Sequence, residues 1–333
     1  MTGREQRILG LLLGTALGDA FGAAFEGRPF VDGSEVDAAT APLASAEVLV
    51  HTDDTALTLV LAEHIADRVA GRAAVADPLD EDALAREFAA AWRGEPWRGY
   101  GSGAALIFKL ICEGAPWREA TYSLFGGAGS YGNGGAMRAA PVAIAGNGLH
   151  LAAELGRRQA VLTHAHEHGQ RGAELQAAAS YLALERDPAP LVLDADQFRQ
   201  DLARVVRSRE WHEKLDRIGE LLLTGAPPEH AARALGNDVS ALGSVPLALL
   251  AFLTTPDDPV ATVRYAIRAG GDTDTIAAMA GALSGARNGV AALPESWIAR
   301  VEARQRIERV ANRLSGYRPA GLEPPHSRSP GPP

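Results

Sequence analysis

Residues 8–22 of the chain read Ile-Leu-Gly-Leu-Leu-Leu-Gly-Thr-Ala-Leu-Gly-Asp-Ala-Phe-Gly, so glycine recurs at every fourth position from Gly10 to Gly22. Positions four apart lie on one face of an α-helix, and a face of glycine lets a second helix approach closely. Residues 8–17, after Arg4 and Arg7, resemble a signal peptide, but Asp19 follows at once and the four-residue period is typical of a packed helix. It is also too short and too acidic at its end to span a bilayer, so we expect a core helix and no membrane segment.

The composition of the 333-residue chain favours closely packed helices. The 36 glycines are spread through helical patterns, aromatic residues make up only 6%, and no interior stretch is typical of a linker. We therefore predict an all-α fold in one compact domain over residues 1–316, followed by a disordered Pro-rich tail over residues 317–333. Apolar periodicity predicts helices at 4–24, 55–70, 80–93, 101–113, 135–146, 150–164, 169–185, 195–206, 210–224, 228–235, 242–253, 258–268, 274–289 and 295–313, and residues 47–50 are the best candidate for a strand.

The charge and the cysteine content of the chain indicate which binding partners and which cellular compartment to expect. The formal net charge is −9, with basic residues dispersed among acidic ones, so we expect no electrostatic binding of nucleic acid. The single cysteine, Cys112, excludes an intrachain disulfide and fits a reducing cytoplasm. It follows the apolar run 104–111, so we expect it in the core.

Two acidic clusters stand far apart in the chain, each at a predicted helix start. Thr52-Asp53-Asp54-Thr55 precedes the apolar run 56–69, and Asp272-Thr273-Asp274-Thr275 precedes the run 276–286. A helix cap needs only one such side chain. Four gathered carboxylates would repel each other and raise their own pKa values unless divalent cations balanced the charge, and all-oxygen ligands favour Mg²⁺, Mn²⁺ or Ca²⁺. For either cluster alone, an ordinary N-cap explains the pattern equally well.

Two glycine-rich loops run into predicted helices. Residues 126–135 read Gly-Gly-Ala-Gly-Ser-Tyr-Gly-Asn-Gly-Gly, and residues 98–103 read Arg-Gly-Tyr-Gly-Ser-Gly. Unhindered backbone N–H groups ahead of a helix suit a phosphate, although turns that merely connect helices are commoner. Neither loop is a P-loop or a Rossmann fingerprint, since no Lys-Ser/Thr follows and no strand precedes.

Two further groups stay ambiguous from the residues alone. Within residues 163–168, His164 and His168 share one helical face, but no cysteine or third ligand accompanies them, so a hydrogen-bonding role is favoured over zinc. Glu26 follows the glycine-rich helix, where a solvated carboxylate is the default interpretation.

Four motifs in order resemble those of the ADP-ribosylglycohydrolase family, and the resemblance covers about residues 5–312. It implies a compact all-α fold with two Mg²⁺ ions in a cleft, Mn²⁺ being the alternative. The motifs are Leu17-Gly18-Asp19-Ala20-Phe21-Gly22, Thr52-Asp53-Asp54-Thr55, Gly132-Asn133-Gly134-Gly135-Ala136-Met137-Arg138 and Gly270-Gly271-Asp272-Thr273-Asp274-Thr275-Ile276-Ala277.

Three features are similar to the branch of that family that cleaves O-linked ADP-ribose, from serine, poly(ADP-ribose) or O-acetyl-ADP-ribose. Glu26 lies eight residues after Gly18, as does the mobile metal-binding glutamate of that branch. Residues 129–133 match its diphosphate loop, and residues 235–239 with 244–246 match its adenine-side segment, where Asp238 departs from the small residue of the pattern. The resemblance therefore implies a metal-dependent hydrolase acting on ADP-ribosylated proteins or ADP-ribose derivatives in the cytoplasm.

The resemblance also assigns roles to individual residues. The loop 128–134 would hold the diphosphate through backbone N–H groups, Phe125 would stack near adenine and His164 would contact the ribose. The metal ligands would be Glu26, Thr52, Asp53, Asp54, Asp272, Asp274 and Thr275, the catalytic residues Glu26, Asp54 and Asp272, and the substrate contacts Asp53, Gly101, Phe125, Ala128, Gly129, Ser130, Tyr131, Gly132, Asn133, Gly134, His164 and Val239.

Three other functions fit parts of the pattern. Hydrolysis of N-linked ADP-ribosyl-arginine uses the same scaffold, and a non-catalytic ADP-ribose-binding or structural protein could keep the fold. A two-metal phosphoesterase acting on a nucleotide would use the same oxygen ligands but release phosphate.

Overall fold

The computed structural model describes residues 3–41, 47–69, 77–186 and 192–317. Within these ranges the chain forms eighteen α-helices and no strand longer than an isolated bridge, which confirms the all-α prediction. The predicted tail lies, apart from Tyr317, outside the described residues. In chain order the helices are α1 Gly3–Gly22, α2 Gly33–Ala39, α3 Asp53–Val69, α4 Glu81–Gly94, α5 Ser102–Cys112, α6 Trp117–Tyr122, α7 Gly134–Met137, α8 Val142–Ala145, α9 Leu149–Ala160, α10 Glu167–Glu185, α11 Ala195–Ala203, α12 Arg209–Thr224, α13 Pro228–Leu235, α14 Ala241–Thr254, α15 Pro259–Arg268, α16 Thr273–Asn288, α17 Glu295–Ile298 and α18 Arg304–Ser315.

The glycines of α1 pack directly against the backbone of α16, the most extensive helix contact in the described structure. A Cβ built on Gly14 would lie 2.1 Å from the carbonyl oxygen of Gly281, and one on Gly18 would lie 2.0 Å from that of Ala277. Glycine is therefore required along this line for the two backbones to touch. Helix α16 is buried along nearly its whole length, with α10, α14 and α15 also packed around it.

The close contact between α1 and α16 also decides how the apolar N-terminal segment is interpreted. The segment Gly3–Phe25 spans 23 residues and is long and apolar enough to cross a bilayer, so the expectation that it is too short is wrong. However, 78% of its most apolar 18-residue stretch is buried within the fold. It is the core helix that the glycine period predicts.

Two predicted helices are each split in the structure. The helix expected over 135–146 becomes α7 and α8 because Pro141, which has no N–H to donate, stands between them. The helix expected over 295–313 becomes α17 and α18 because the backbone between them pairs with the 47–50 segment: the N–H of Leu49 donates to Arg300 O at 2.8 Å, and that of Glu302 donates to Leu49 O at 3.1 Å. The strand candidate 47–50 forms only this isolated bridge to Val301.

Three features differ from the sequence expectation in smaller ways. The short helices α2 and α6 were not predicted, since neither is long enough to show a helical period. Cys112 is exposed at the end of α5 rather than buried in the core, because the apolar face of that helix turns inward at Ile107 and Phe108.

Candidate metal centre and ligand cleft

The N-termini of α3 and α16 meet, and this meeting brings the two acidic clusters together. The carboxylate oxygen Oδ2 of Asp54 accepts hydrogen bonds from the hydroxyls of Thr52 and Thr275, each at 3.3 Å. Asp53 and Asp54 are buried at one side of this junction, and Asp272 and Asp274 at the other. The four predicted carboxylates therefore form one centre.

Glu26 joins this centre from the segment that follows α1. Glu26, Asp272 and Asp274 each offer a carboxylate oxygen, and these oxygens lie within 4.8 Å of one another. The segment is held in place by the N–H of Gly27, which donates to Gly271 O at 2.9 Å, and by that of Gly271, which donates to Arg28 O at 2.7 Å. Unlike the four aspartates, Glu26 is exposed, as expected for a carboxylate that can move relative to a fixed site.

Asp19 is the residue of the centre that our sequence reasoning did not single out. It is fully buried on α1, and its carboxylate accepts the N–H groups of Thr52 and Thr55, both at 3.0 Å, and the hydroxyl of Thr55. It thus ties the start of α3 to α1. The available signal was a charged residue on an otherwise apolar, glycine-lined helix, because such a charge must have partners when it is buried.

The electrostatics of the centre fit divalent cations. The Oδ1 atom of Asp54 is buried and has no hydrogen-bond partner among the described residues. Burial, then the neighbouring Asp19, raises the pKa of Asp53 to about 7, and burial, then Asp272, raises the pKa of Asp274 to about 9. A buried acceptor without a donor and carboxylates that disfavour their own charge are the properties of a hard-cation site built from oxygen ligands.

These pKa shifts predict how stability depends on pH and metal. An unfolded Asp titrates near about 3.9, so between about pH 4 and pH 9 the folded, metal-free protein binds more protons than the unfolded chain, and stability falls as pH rises through that window. Thermal unfolding in EDTA should show a midpoint that declines from about pH 5 to about pH 9, and excess Mg²⁺ should raise the midpoint most at the alkaline end. A midpoint in EDTA that rises over this range would contradict the assignment of these carboxylates to a cation site.

A cleft of about 260 Å³ opens beside this centre. Residues from both acidic clusters and from both glycine-rich loops line it, so the cleft joins features that are separate in the sequence. Of the predicted site residues, Glu26, Asp53, Asp54, Gly101, Phe125, Ser130, Gly132, Asn133, Gly134, His164, Val239, Asp272, Asp274 and Thr275 line it, whereas Thr52, Ala128, Gly129 and Tyr131 do not.

The loop 128–134 is more constrained than its glycines suggest. The N–H groups of Ala128, Gly129 and Asn133 already donate to the carbonyls of Phe125, Leu124 and Val239. An N–H that already donates within the chain is not free for a diphosphate, so the expectation that the whole loop donates is too broad. Packing also explains why residue 129 is glycine, since a Cβ there would lie 2.4 Å from the Cβ of Ala165. The amides of Ser130, Tyr131 and Gly134 remain as candidate donors.

Two residues link this loop to the rest of the site. The side-chain amide of Asn133 donates to Asp272 Oδ2 and, at 3.0 Å, to the hydroxyl of Ser244, so the loop and the metal centre share one hydrogen-bond network. Asp238, the departure from the family pattern, accepts the N–H of Ser240 at 2.7 Å and thereby fixes the turn that carries Val239.

Phe125 stands out at the rim of the cleft. It is the one non-glycine residue with positive φ in the described chain, at φ 51°, and the residue is 62% exposed. A strained backbone that presents an apolar ring to solvent is common at ligand sites. The histidines at 164 and 168 form no metal cluster within the described residues, where the acidic group of Glu26, Asp272 and Asp274 is the one found.

Comparison with known proteins identifies the family of this chain. The family model described as ADP-ribosylglycohydrolase matches residues 1–322. The chain is 34% identical to ADP-ribosylhydrolase ARH3 of Bos taurus, with 92% of each chain covered, and 35% identical to that of Homo sapiens, with 85% of this chain and 83% of the relative covered. A solved structure titled ADP-ribosylglycohydrolase-related protein complex superposes with a TM-score of 0.69 at 25% identity, covering 94% of this chain and 98% of the other. The family model and the relatives both span most of the chain, and the chain therefore belongs to the ADP-ribosylglycohydrolase family.

Proposed function

We propose that the chain hydrolyses the O-glycosidic bond between ADP-ribose and its acceptor, with ADP-ribosyl-serine as the preferred substrate and poly(ADP-ribose) or O-acetyl-ADP-ribose as further candidates. One observation carries the proposal: both acidic clusters, Glu26 and the loop around Ser130 open onto a single cleft. The relatives named ADP-ribosylhydrolase support it. We place the reaction in the cytoplasm, in keeping with the single cysteine.

The cofactor that we propose is two Mg²⁺ ions, with Mn²⁺ as the alternative. The residues that would hold them are Glu26, Thr52, Asp53, Asp54, Asp272, Asp274 and Thr275, and the unpartnered Oδ1 of Asp54 is the clearest free ligand atom. When bound, such ions would neutralise charge that develops on the departing acceptor oxygen and would increase the acidity of a nearby water.

The chain itself orients the substrate and moves the proton. Free amides of the 130–134 loop would bind the diphosphate, and Phe125 would pack on the adenine. The bond from C1″ of the ribose to the acceptor oxygen breaks with oxocarbenium character, and a water adds its oxygen to C1″ and gives up a proton. The departing acceptor oxygen takes up one proton, so the step consumes one water and releases ADP-ribose and the free acceptor. In the metal-free protein partial burial, then Asp272 and Asp19, raises the pKa of Glu26. This carboxylate lies at the exposed edge of the centre and would take the proton from that water.

The test is release of ADP-ribose, with and without Mg²⁺, from two matched peptides that carry ADP-ribose on serine or on arginine. We expect Mg²⁺-dependent release from the serine peptide only. Release from the arginine peptide alone would replace the proposal with N-glycosidic hydrolysis. Release of phosphate rather than ADP-ribose would identify a phosphoesterase, and binding of ADP-ribose without turnover of either peptide would identify a non-catalytic relative.

Replacing Glu26 by alanine tests whether this carboxylate acts on the rate of the reaction or on the binding of ADP-ribose. Because Glu26 is exposed at the edge of the centre while the aspartates are buried, Glu26→Ala should lower kcat by about a hundredfold and change the Kd for ADP-ribose by only about twofold. Steady-state rates on the serine peptide and calorimetric titration with ADP-ribose measure the two effects. The matched control is Glu308→Ala, which removes a surface carboxylate paired with Arg304 and should change neither quantity. A loss confined to affinity would remove Glu26 from the proton transfer.

A further inference from the structure

The ring of His164 lies between a buried network and the cleft. His164 is buried, and its Nδ1 atom is 2.8 Å from the hydroxyl oxygen of Thr163. Its opposite edge faces the loop: a Cβ on Gly134 would lie 3.0 Å from Cε1 and 3.3 Å from Nε2. Within the described residues Nε2 has no hydrogen-bond partner, and the ring lines the cleft. The proton position on this ring therefore determines whether the cleft meets a donor or an acceptor.

The proton on the Thr163 hydroxyl can be assigned by counting donors. Arg138 donates from Nη2 to Thr163 Oγ1 at 2.8 Å, and a guanidinium has no acceptor, so Thr163 accepts in that bond. The hydroxyl has one proton left to give. Its two candidate acceptors are His164 Nδ1 at 2.8 Å and the carbonyl oxygen of Ala160 at 3.5 Å.

The carbonyl of Ala160 is already occupied. It accepts the backbone N–H of Thr163 at 3.0 Å and that of His164 at 2.9 Å, which uses both of its lone pairs. The shorter contact and the free acceptor both direct the Thr163 proton to Nδ1 of His164. A neutral imidazole that accepts at Nδ1 carries its own proton on Nε2.

Arg138 is held firmly enough to keep this arrangement. It is fully buried, donates from Nε to Gln159 Oε1 at 2.8 Å and from Nη1 to Gly134 O at 3.0 Å, and lies 4.5 Å from the ring centre of Phe88. Burial, then the positive charge of Arg138, lowers the pKa of His164 to about 3, so the imidazole stays neutral. No carboxylate of the described chain pairs with Arg138 and competes for its donors.

We propose that Arg138 and Thr163 are positioning residues that hold His164 as the Nε2–H tautomer, so that the cleft meets a fixed hydrogen-bond donor for an oxygen of its ligand. The ligand oxygen belongs to the ADP-ribose of the proposed function, either in the diphosphate or in the distal ribose. In this role His164 recognises the ligand only through its Nε2–H donor and takes no part in proton transfer.

The tautomer is measured directly from the ¹⁵N resonances of the histidine rings in the ligand-free wild-type protein, with the His164 signals identified by their loss in His164→Gln. We expect a protonated Nε2 and an unprotonated Nδ1. His166 provides an internal reference, because its Nδ1 accepts the N–H of His168 at 3.1 Å and its ring must also carry the proton on Nε2. A His164 ring protonated at Nδ1 would overturn the proposal.

Two substitutions at Thr163 test whether its hydroxyl fixes the tautomer of His164. Thr163→Val keeps the shape but removes the hydroxyl, so the Nε2–H tautomer should no longer dominate and the Kd for ADP-ribose should rise by about tenfold. Thr163→Ser keeps the hydroxyl and should retain the wild-type tautomer and an affinity within about twofold. If Thr163 had only a structural role, its loss would not change the tautomer of His164. An unchanged tautomer in Thr163→Val would therefore overturn the proposed role of Thr163.

A second pair of variants tests the same point without Thr163. The amide nitrogen of glutamine can replace Nε2 and that of asparagine can replace Nδ1, so His164→Gln should bind ADP-ribose more tightly than His164→Asn. The reverse order would contradict the proposal. Titration with ADP in parallel shows which ligand oxygen His164 binds. A loss of affinity for both ligands points to the diphosphate, and a loss of affinity for ADP-ribose alone points to the distal ribose. If the wild-type protein binds neither ligand, the proposed function fails while the tautomer measurement still stands.

Discussion

Replacing Asp272 by asparagine should lower the rate of ADP-ribose release by about a thousandfold or more and weaken Mg²⁺ binding in parallel. Asp272 is a buried carboxylate at the start of α16 and lies beside Glu26 and Asp274. An amide keeps the shape and can still accept from Asn133, but it removes the negative charge that a cation requires. Loss of several kcal/mol of transition-state stabilisation corresponds to at least this factor in rate.

The control for Asp272→Asn is a second aspartate that also begins a helix but lies outside the acidic centre. Asp258 is the N-cap of α15, where its side chain accepts the N–H of Ala261 at 3.0 Å. Asparagine caps a helix as well as aspartate, so Asp258→Asn should leave rate and metal affinity unchanged. Wild-type turnover in Asp272→Asn would show that the acidic centre is an elaborate helix cap and not a catalytic metal site.

The same substitution should act in the opposite direction on stability. In the metal-free protein burial raises the pKa of Asp272, because loss of solvent around the carboxylate disfavours its charged form. Asp272→Asn therefore should unfold at a temperature equal to or above that of the wild type when both are measured in EDTA above about pH 7. A variant that loses function and gains stability is typical of a site whose charges are retained for catalysis.

The parts of this protein that sequence could predict are those set by short-range patterns. The glycine period in α1 predicted a close helix contact, and the paired acidic clusters predicted that four carboxylates lie close together. Asp19 was missed because its role depends on three donors from the start of α3, which only the folded chain brings to it. Glu26 came from the family resemblance, since an exposed glutamate after a helix has no distinctive chemistry of its own.

Two of the remaining errors have a common cause. A helical period gives the apolar face of a segment but does not show which backbone groups are already used elsewhere. Pairing of Leu49 with Arg300 and Glu302 interrupts a helix that periodicity joins, and carbonyls of Leu124, Phe125 and Val239 occupy loop amides that glycine content suggests are free. These are long-range or loop-specific hydrogen bonds, which leave no periodic signal in the sequence.

Gly18→Ala should be among the most destabilising single-methyl changes available in this chain. The new Cβ would lie 2.0 Å from the carbonyl oxygen of Ala277 and 2.4 Å from its carbonyl carbon, and both are backbone atoms that cannot turn aside. Separating α1 from α16 would cost about 3 kcal/mol or more, at the upper end for an overpacked core. Thermal unfolding in Mg²⁺ should show a midpoint lower by about 5 °C or more.

Two glycine controls separate packing from helix propensity and from function. Gly94, at the end of α4, has no atom within 4 Å of a built Cβ, so Gly94→Ala should be neutral or slightly stabilising. Gly10→Ala should destabilise as well, since its Cβ would lie 2.3 Å from Gly285 O, but Gly10 lies about two and a half turns from Asp19 on α1. Only Gly18→Ala displaces the helix next to Asp19 and the threonines that it holds, so only that variant should also weaken Mg²⁺ binding. Equal metal affinity in Gly10→Ala and Gly18→Ala would show that the contact between α1 and α16 supports the fold without positioning the metal centre.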